Sequence, residues 1–221
     1  MSHLLSTAHA AVSGSLSKVG RRRGPVSASE LMAELEQDAD YQARRKARDA
    51  EIEAAAEERR AAREPVMADL RAAGVEVSDT YDLYKHPEHY PAAIPVLLTH
   101  LERDYPDRVL EDIGHGLPFK PDPSWWDDFK ALYLKTTSDA VRGRLAAAMG
   151  GCARRAHYED LLSFVRDEHL GQSRIHFLRP INRIGNRIRA GQGRAVIEDL
   201  ASDSVLGREA GAILKGRSRS Q

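Results

Sequence analysis

A short pattern, Asp-x-Val, recurs along the C-terminal half of this chain and constrains its fold more than any other feature. Asp107-Arg108-Val109, Asp139-Ala140-Val141 and Asp203-Ser204-Val205 carry it, and Ser173-Arg174-Ile175 stands in the same register. The successive intervals, Val109 to Val141 to Ile175 to Val205, are 32, 34 and 30 residues. Each copy opens the second of two apolar-faced helical stretches. The first copy pairs "YPAAIPVLLTHLERD" with "YPDRVLEDIGHGL", and the second pairs "SWWDDFKALYLK" with "SDAVRGRLAAAM". A hairpin of this length cannot bury its apolar stripe alone, whereas stacked neighbours share one continuous core. The spacing predicts an all-α chain with an α-solenoid of about four helix pairs over residues 90–216. The aspartate at each turn is expected to accept the first free N–H groups of the helix that follows.

On "DAVRGRLAAAM", "DSVLGREAGAIL" and, more loosely, "DRVLEDIGHGL", the chain resembles the HEAT-repeat family, including the short repeats of bilin-lyase-like proteins. The resemblance covers about 125 residues. It implies a curved stack of antiparallel helix pairs whose second helices line the concave face. The family pattern continues Asp-x-Val with Arg, present here at Arg142 and replaced by Leu110 and Leu206 elsewhere.

Upstream, three segments are expected. Residues 1–27, rich in Ser, Ala and Gly and ending in a basic run, read as a flexible tail, as do residues 217–221. Residues 28–64 are dominated by Ala, Glu and Arg, strong helix formers, with Ser27 or Ser29 placed to cap the start. Between Glu36 and Pro65 the large apolar residues are Tyr41 and Ile52 alone, too few for a coiled-coil seam. A solvated arm held by local charge pairs such as Glu57 with Arg60 is the expectation. Pro65 is expected to break or restart that helix, leaving residues 65–89 as a short helix and linker before the repeats begin near Tyr90.

Charge says little globally, because Lys+Arg and Asp+Glu both number 33. General nucleic-acid binding therefore has no support from composition. No apolar run reaches the roughly 18 residues of a membrane span, and the basic run after residue 17 is in the wrong place for a secretory signal, so a cytoplasmic location is expected. Cys152 is the single cysteine, which excludes an internal disulfide and reads as a small buried residue.

Local composition is most biased in "GQSRIHFLRPINRIGNRIRAGQGR", which holds six arginines and no acid. Arg179, Arg183 and Arg187 are four apart and share a helical face, with Arg174 just before them. They are expected to present cations to an acidic or extended protein segment. A solvated row meeting Glu198 and Asp199 is the other reading, and Pro180 and Gly185 predict a kink. In Trp125-Trp126 one ring must face away from the other. Sharing a face with Phe129 and Leu132, Trp125 is expected in the core, leaving Trp126 with Tyr133 as exposed aromatic anchors; the other reading has both tryptophans partly buried under the preceding loop "LPFKPDPS".

These residues predict a non-enzymatic protein-binding or adaptor module. The alternative is a nucleic-acid-binding protein or a helical-repeat DNA glycosylase using Trp126, Asp127 or Asp128 and the arginines. HEAT-type metal hydroxylases use His-Glu dipeptides, and none of the nine histidines here precedes Glu. His86 and His89 lie three apart without an evident third ligand, so no metal or other cofactor is expected.

Overall fold

A computed structural model describes residues 27–216, and the tails expected over 1–27 and 217–221 lie outside that range apart from Ser27. The described residues are helical throughout their regular structure, with no strand among them. No described helix is long and apolar enough to cross a membrane. The chain divides into two units, with the boundary after Ile52.

In the first unit the expected arm is two helices. Helix α1, Ala28–Gln37, opens on a capping box: the Ser27 hydroxyl accepts from Glu30 N–H, and the Glu30 carboxylate accepts from Ser27 N–H. Asp38 ends α1 and caps the next helix by accepting from Tyr41 N–H at 3.0 Å. That helix, α2, runs from Ala39 to Ala72, and its part up to Ile52 buries nothing. Local charges support it, as in the Arg45–Asp49 pair.

The second unit begins inside α2, and here two expectations need correcting. Pro65 does not break the helix. Both Pro65 and Ala61, whose carbonyl the proline leaves without a helical donor, face solvent, so that oxygen is open to water and its loss of a helical bond costs little. Beyond it Val66, Met67 and Leu70 are buried in the same apolar cluster as the repeats. Leu83, from the 3₁₀ stretch Thr80–Lys85, joins them. The core therefore starts about 25 residues before Tyr90.

Four helix pairs follow: α3 (Tyr90–Leu101) with α4 (Asp107–His115), α5 (Trp126–Lys135) with α6 (Asp139–Cys152), α7 (Tyr158–Arg166) with α8 (Ile175–Ile188), and α9 (Gln192–Asp199) with α10 (Gly207–Leu214). Members of each pair pack together, and the second helices pack in chain order, α4 on α6, α6 on α8 and α8 on α10. Val109 and Val141 of the recurring pattern are buried, and Ile175 and Val205 pack against the same core.

Polar contacts repeat with the period of the sequence. The Thr80 hydroxyl donates to the Asp112 carbonyl across 32 residues, and His100 Nε2 meets Asp69 across 31. Lys135 donates to Glu102 across 33, Lys130 to Asp160 across 30, and Arg179 to Glu209 across 30. The Tyr133–Ser173 bond, spanning 40, runs instead from α5 to the turn before α8. The capping role expected for the aspartates is not seen at the helices themselves: Asp203 accepts from Val205 and Leu206 N–H in the turn before α10, whose own start has no side-chain cap. Ser138, not Asp139, caps α6, and Pro106 precedes α4 with no side-chain cap. Asp139 and Asp107 sit one position later, in the first helical turn, where a carboxylate favours the positive helix end without bonding it.

Candidate binding cleft

Two pairs of backbone close approaches shape the candidate site. Helix α6 ends in Gly150-Gly151-Cys152, with Gly151 against the loop before α5. A Cβ on Gly151 would sit 1.7 Å from the Phe119 carbonyl oxygen, so only glycine lets this loop lie over the helix end. A Cβ on Gly150 would stand 2.7 Å from the His176 carbonyl oxygen on α8. That carbonyl is the one whose helical donor is missing, because Pro180 has no N–H. On the other side of α8, Gly185 meets Gly193, and the Asn186 side chain reaches over to accept from Gly193 and Arg194 N–H at 3.1 and 3.2 Å. Helix α9 is thus capped by a residue of α8.

These approaches leave a cleft of about 680 Å³ whose charged lining is Lys120, Arg154, Arg179 and Arg183. Arg179 is half-exposed and its guanidinium is held by Glu209 of α10 at 2.9 Å. Arg183 makes one long contact, 3.4 Å to the Ala153 carbonyl. Its burial, then the like charges of Arg187 and Arg154, push its guanidinium below the usual arginine range. Arg154, Arg183 and Arg187 have no acidic partner among the described residues. Acids in neighbouring positions are already engaged, Glu198 by Arg194 and Asp203 by Arg174. The cleft is therefore a place where cations outnumber the acids near them, Glu209 on Arg179 and Asp122 within electrostatic reach of Arg154, and it suits carboxylate or phosphate oxygens.

Three residues expected at the site are elsewhere. Arg174 is only 3% exposed. Its guanidinium donates to the Gly171 and Val165 carbonyls at 3.1 Å each and to Asp203 at 3.2 Å. Gly171, at φ 57°, turns the chain in the 3₁₀ stretch before α8, so Arg174 does not continue the row of Arg179, Arg183 and Arg187. Trp126 and Tyr133 are 3% and 0% exposed. Trp125 is the less buried ring, reversing the expectation, because it closes the 3₁₀ turn Pro123–Trp125 and α5 begins at Trp126. The buried stripe is therefore Trp126, Phe129 and Tyr133. The Trp126 indole N–H points to Asp160 at 3.4 Å and its ring stacks on His157 at 4.0 Å.

Sequence reasoning did not find Lys120 and Arg154, which come from loops, nor Phe119, a ring 69% exposed in the loop beside them. Phe119 lines a second depression, of about 830 Å³, with His115, Arg144 and His176. An aromatic flanked by prolines in "LPFKPDP" was the available signal. Cys152 is buried as expected, and burial raises its thiol to about 11, which favours the neutral thiol over the thiolate. No family model, curated protein or solved structure matches the chain.

Proposed function

We propose that this chain is a HEAT-like α-solenoid serving as a non-enzymatic binding module for an acidic, extended protein segment. The solenoid reading is supported by the chain-order packing of α4, α6, α8 and α10 and by polar contacts that recur near the repeat interval. In this reading the end of α2 and the 3₁₀ stretch Thr80–Lys85 are a terminal unit that covers the first helix pair.

The observation that carries the partner's chemistry is the convergence of Arg154 and Arg183, neither in an ion pair, beside Lys120, with Arg187 near enough to Arg183 to repel its charge. Carboxylates entering there gain charge-assisted hydrogen bonds and relieve the mutual repulsion of the arginines. The glycosylase alternative needs an accessible Trp126, and this ring is buried. Phosphates remain chemically compatible with the cleft, so the test separates them.

A labelled Glu-rich peptide and a labelled DNA duplex are titrated with the full chain at low salt and followed by fluorescence anisotropy. Saturable peptide binding that weakens at least tenfold, about 1.4 kcal/mol, in Arg154→Glu/Arg183→Glu supports the module. Duplex binding tighter than peptide binding, falling by about 0.9 log unit per log salt for each phosphate contacted, replaces it with nucleic-acid recognition. Binding of neither probe removes the arginines from the function.

A further inference from the structure

We propose that His86, Glu88 and His89 form a zinc site at the start of α3. The third donor missing from the sequence pattern is Glu88, one of the two residues between the histidines. The donor atoms of all three lie within 4.8 Å of one another. Glu88 Oε1 is central, 3.3 Å from His86 Nδ1 and 3.9 Å from His89 Nε2. Zinc–nitrogen and zinc–oxygen bonds of roughly 2.0–2.1 Å at tetrahedral angles put ligand atoms about 3.3 Å apart. One contact already has that spacing, and the other donor atoms stand up to 4.8 Å apart on side chains at the surface of the turn.

The backbone holds the three side chains to one side of a tight turn. Pro87 opens the single 3₁₀ turn Pro87–His89, His89 N–H donates to the His86 carbonyl at 3.0 Å, and His86 N–H donates to the Leu83 carbonyl at 3.0 Å. Leu83 is fully buried, so the turn is anchored in the core while His86 and Glu88 face solvent. Lys85, the cation next to His86 in sequence, is drawn away by Asp82 at 2.7 Å. Two imidazoles with one carboxylate suit zinc chemically, and three protein ligands leave a fourth position for water or another donor. Zinc held here fixes the 3₁₀ turn that leads into α3 and stabilises the folded chain to the extent that it binds the preformed turn more tightly than the same four residues unfolded. This site is independent of the arginine cleft.

The test is calorimetric titration of the full chain, freed of metal with a chelator, with zinc chloride. One zinc per chain is expected, together with a rise in melting temperature. Glu88→Gln and His89→Ala should each weaken binding at least tenfold, and His169→Ala, an exposed histidine elsewhere, should leave it unchanged. Circular dichroism confirms that the variants fold, as positions outside the buried core predict. Absence of saturable binding at millimolar zinc, or equal binding by His86→Ala/His89→Ala, overturns the proposal.

Discussion

Asp203 joins two turns with its two oxygens: Oδ1 accepts from Val205 and Leu206 N–H at 2.8 and 2.9 Å, and Oδ2 accepts from Arg174 at 3.2 Å. One carboxylate thus holds the turn that leads into α10 and locks it to the turn before α8. Arg174 also satisfies two carbonyls, so its loss leaves three buried or half-buried acceptors without a donor. Arg174→Met is expected to lower stability by about 2–4 kcal/mol, read from urea unfolding. Peptide affinity of the folded fraction should stay at the wild-type value, because this guanidinium does not reach the cleft.

The same carboxylate makes stability depend on acid. The N–H groups of Leu206 and Val205, with Arg174 beside them, hold Asp203 below the ordinary aspartate value of 3.8. The unfolded chain therefore takes up this proton before the folded chain does. The stabilisation is complete above pH 3.8 and is lost as pH falls through the lower, folded value. Asp203→Asn should flatten that part of the profile while lowering the plateau. Urea midpoints measured from about pH 5 downward check both outcomes.

Two glycines of α6 should respond to alanine in opposite directions. A Cβ on Gly143 meets nothing within 4 Å, and its backbone is helical, so Gly143→Ala is expected to add about 0.5–1 kcal/mol. Gly151→Ala puts a methyl group into the Phe119 carbonyl and must displace the loop that carries Lys120. A melting temperature raised in the first variant and lowered in the second is the expected pair of results. Loss of peptide binding should accompany only the second.

The helix pairs were legible in the sequence because Val109, Val141, Ile175 and Val205 recur with the period at which their helices pack. What escaped depends on short irregular turns and on residues brought together from afar. The face of α5 was drawn one residue early, since nothing in "PSWW" separates a 3₁₀ turn from the first helical turn, and this exchanged Trp125 with Trp126. Arg174 looked like part of the row until Gly171 redirected the chain. Lys120 and Arg154 join Arg183 only through the fold, so no local pattern could have grouped them. Pro65 misled because its cost depends on which side of the helix meets water.

Trp126 should report the protonation of His157. Their rings stack at 4.0 Å, and burial lowers the imidazole below its ordinary 6.5, outweighing the nearby Asp127 and Asp160. The folded state therefore favours neutral His157. Its contribution to stability is full above pH 6.5 and is lost as pH falls through the lower, folded value. In a Trp125→Phe background, fluorescence should be quenched on acidification with a midpoint below 6.5, and His157→Gln should abolish the transition. A midpoint at or above 6.5 would place the imidazole in a less buried setting than the one described.

Arg183 offers the sharpest separation of binding from stability. Burial and the charges of Arg187 and Arg154 disfavour its cation in the folded chain, while the unfolded chain carries the same cation in water at no such cost. Removing the charge lifts that penalty. Its single long bond to the Ala153 carbonyl returns little. Arg183→Gln is therefore expected to hold or raise the melting temperature while weakening Glu-rich peptide binding, the exchange typical of a residue retained for a ligand. Both quantities are measured on one preparation, by thermal melting and by anisotropy. A lower melting temperature with unchanged affinity would make Arg183 a packing residue and leave Arg154 and Lys120 to carry the cleft.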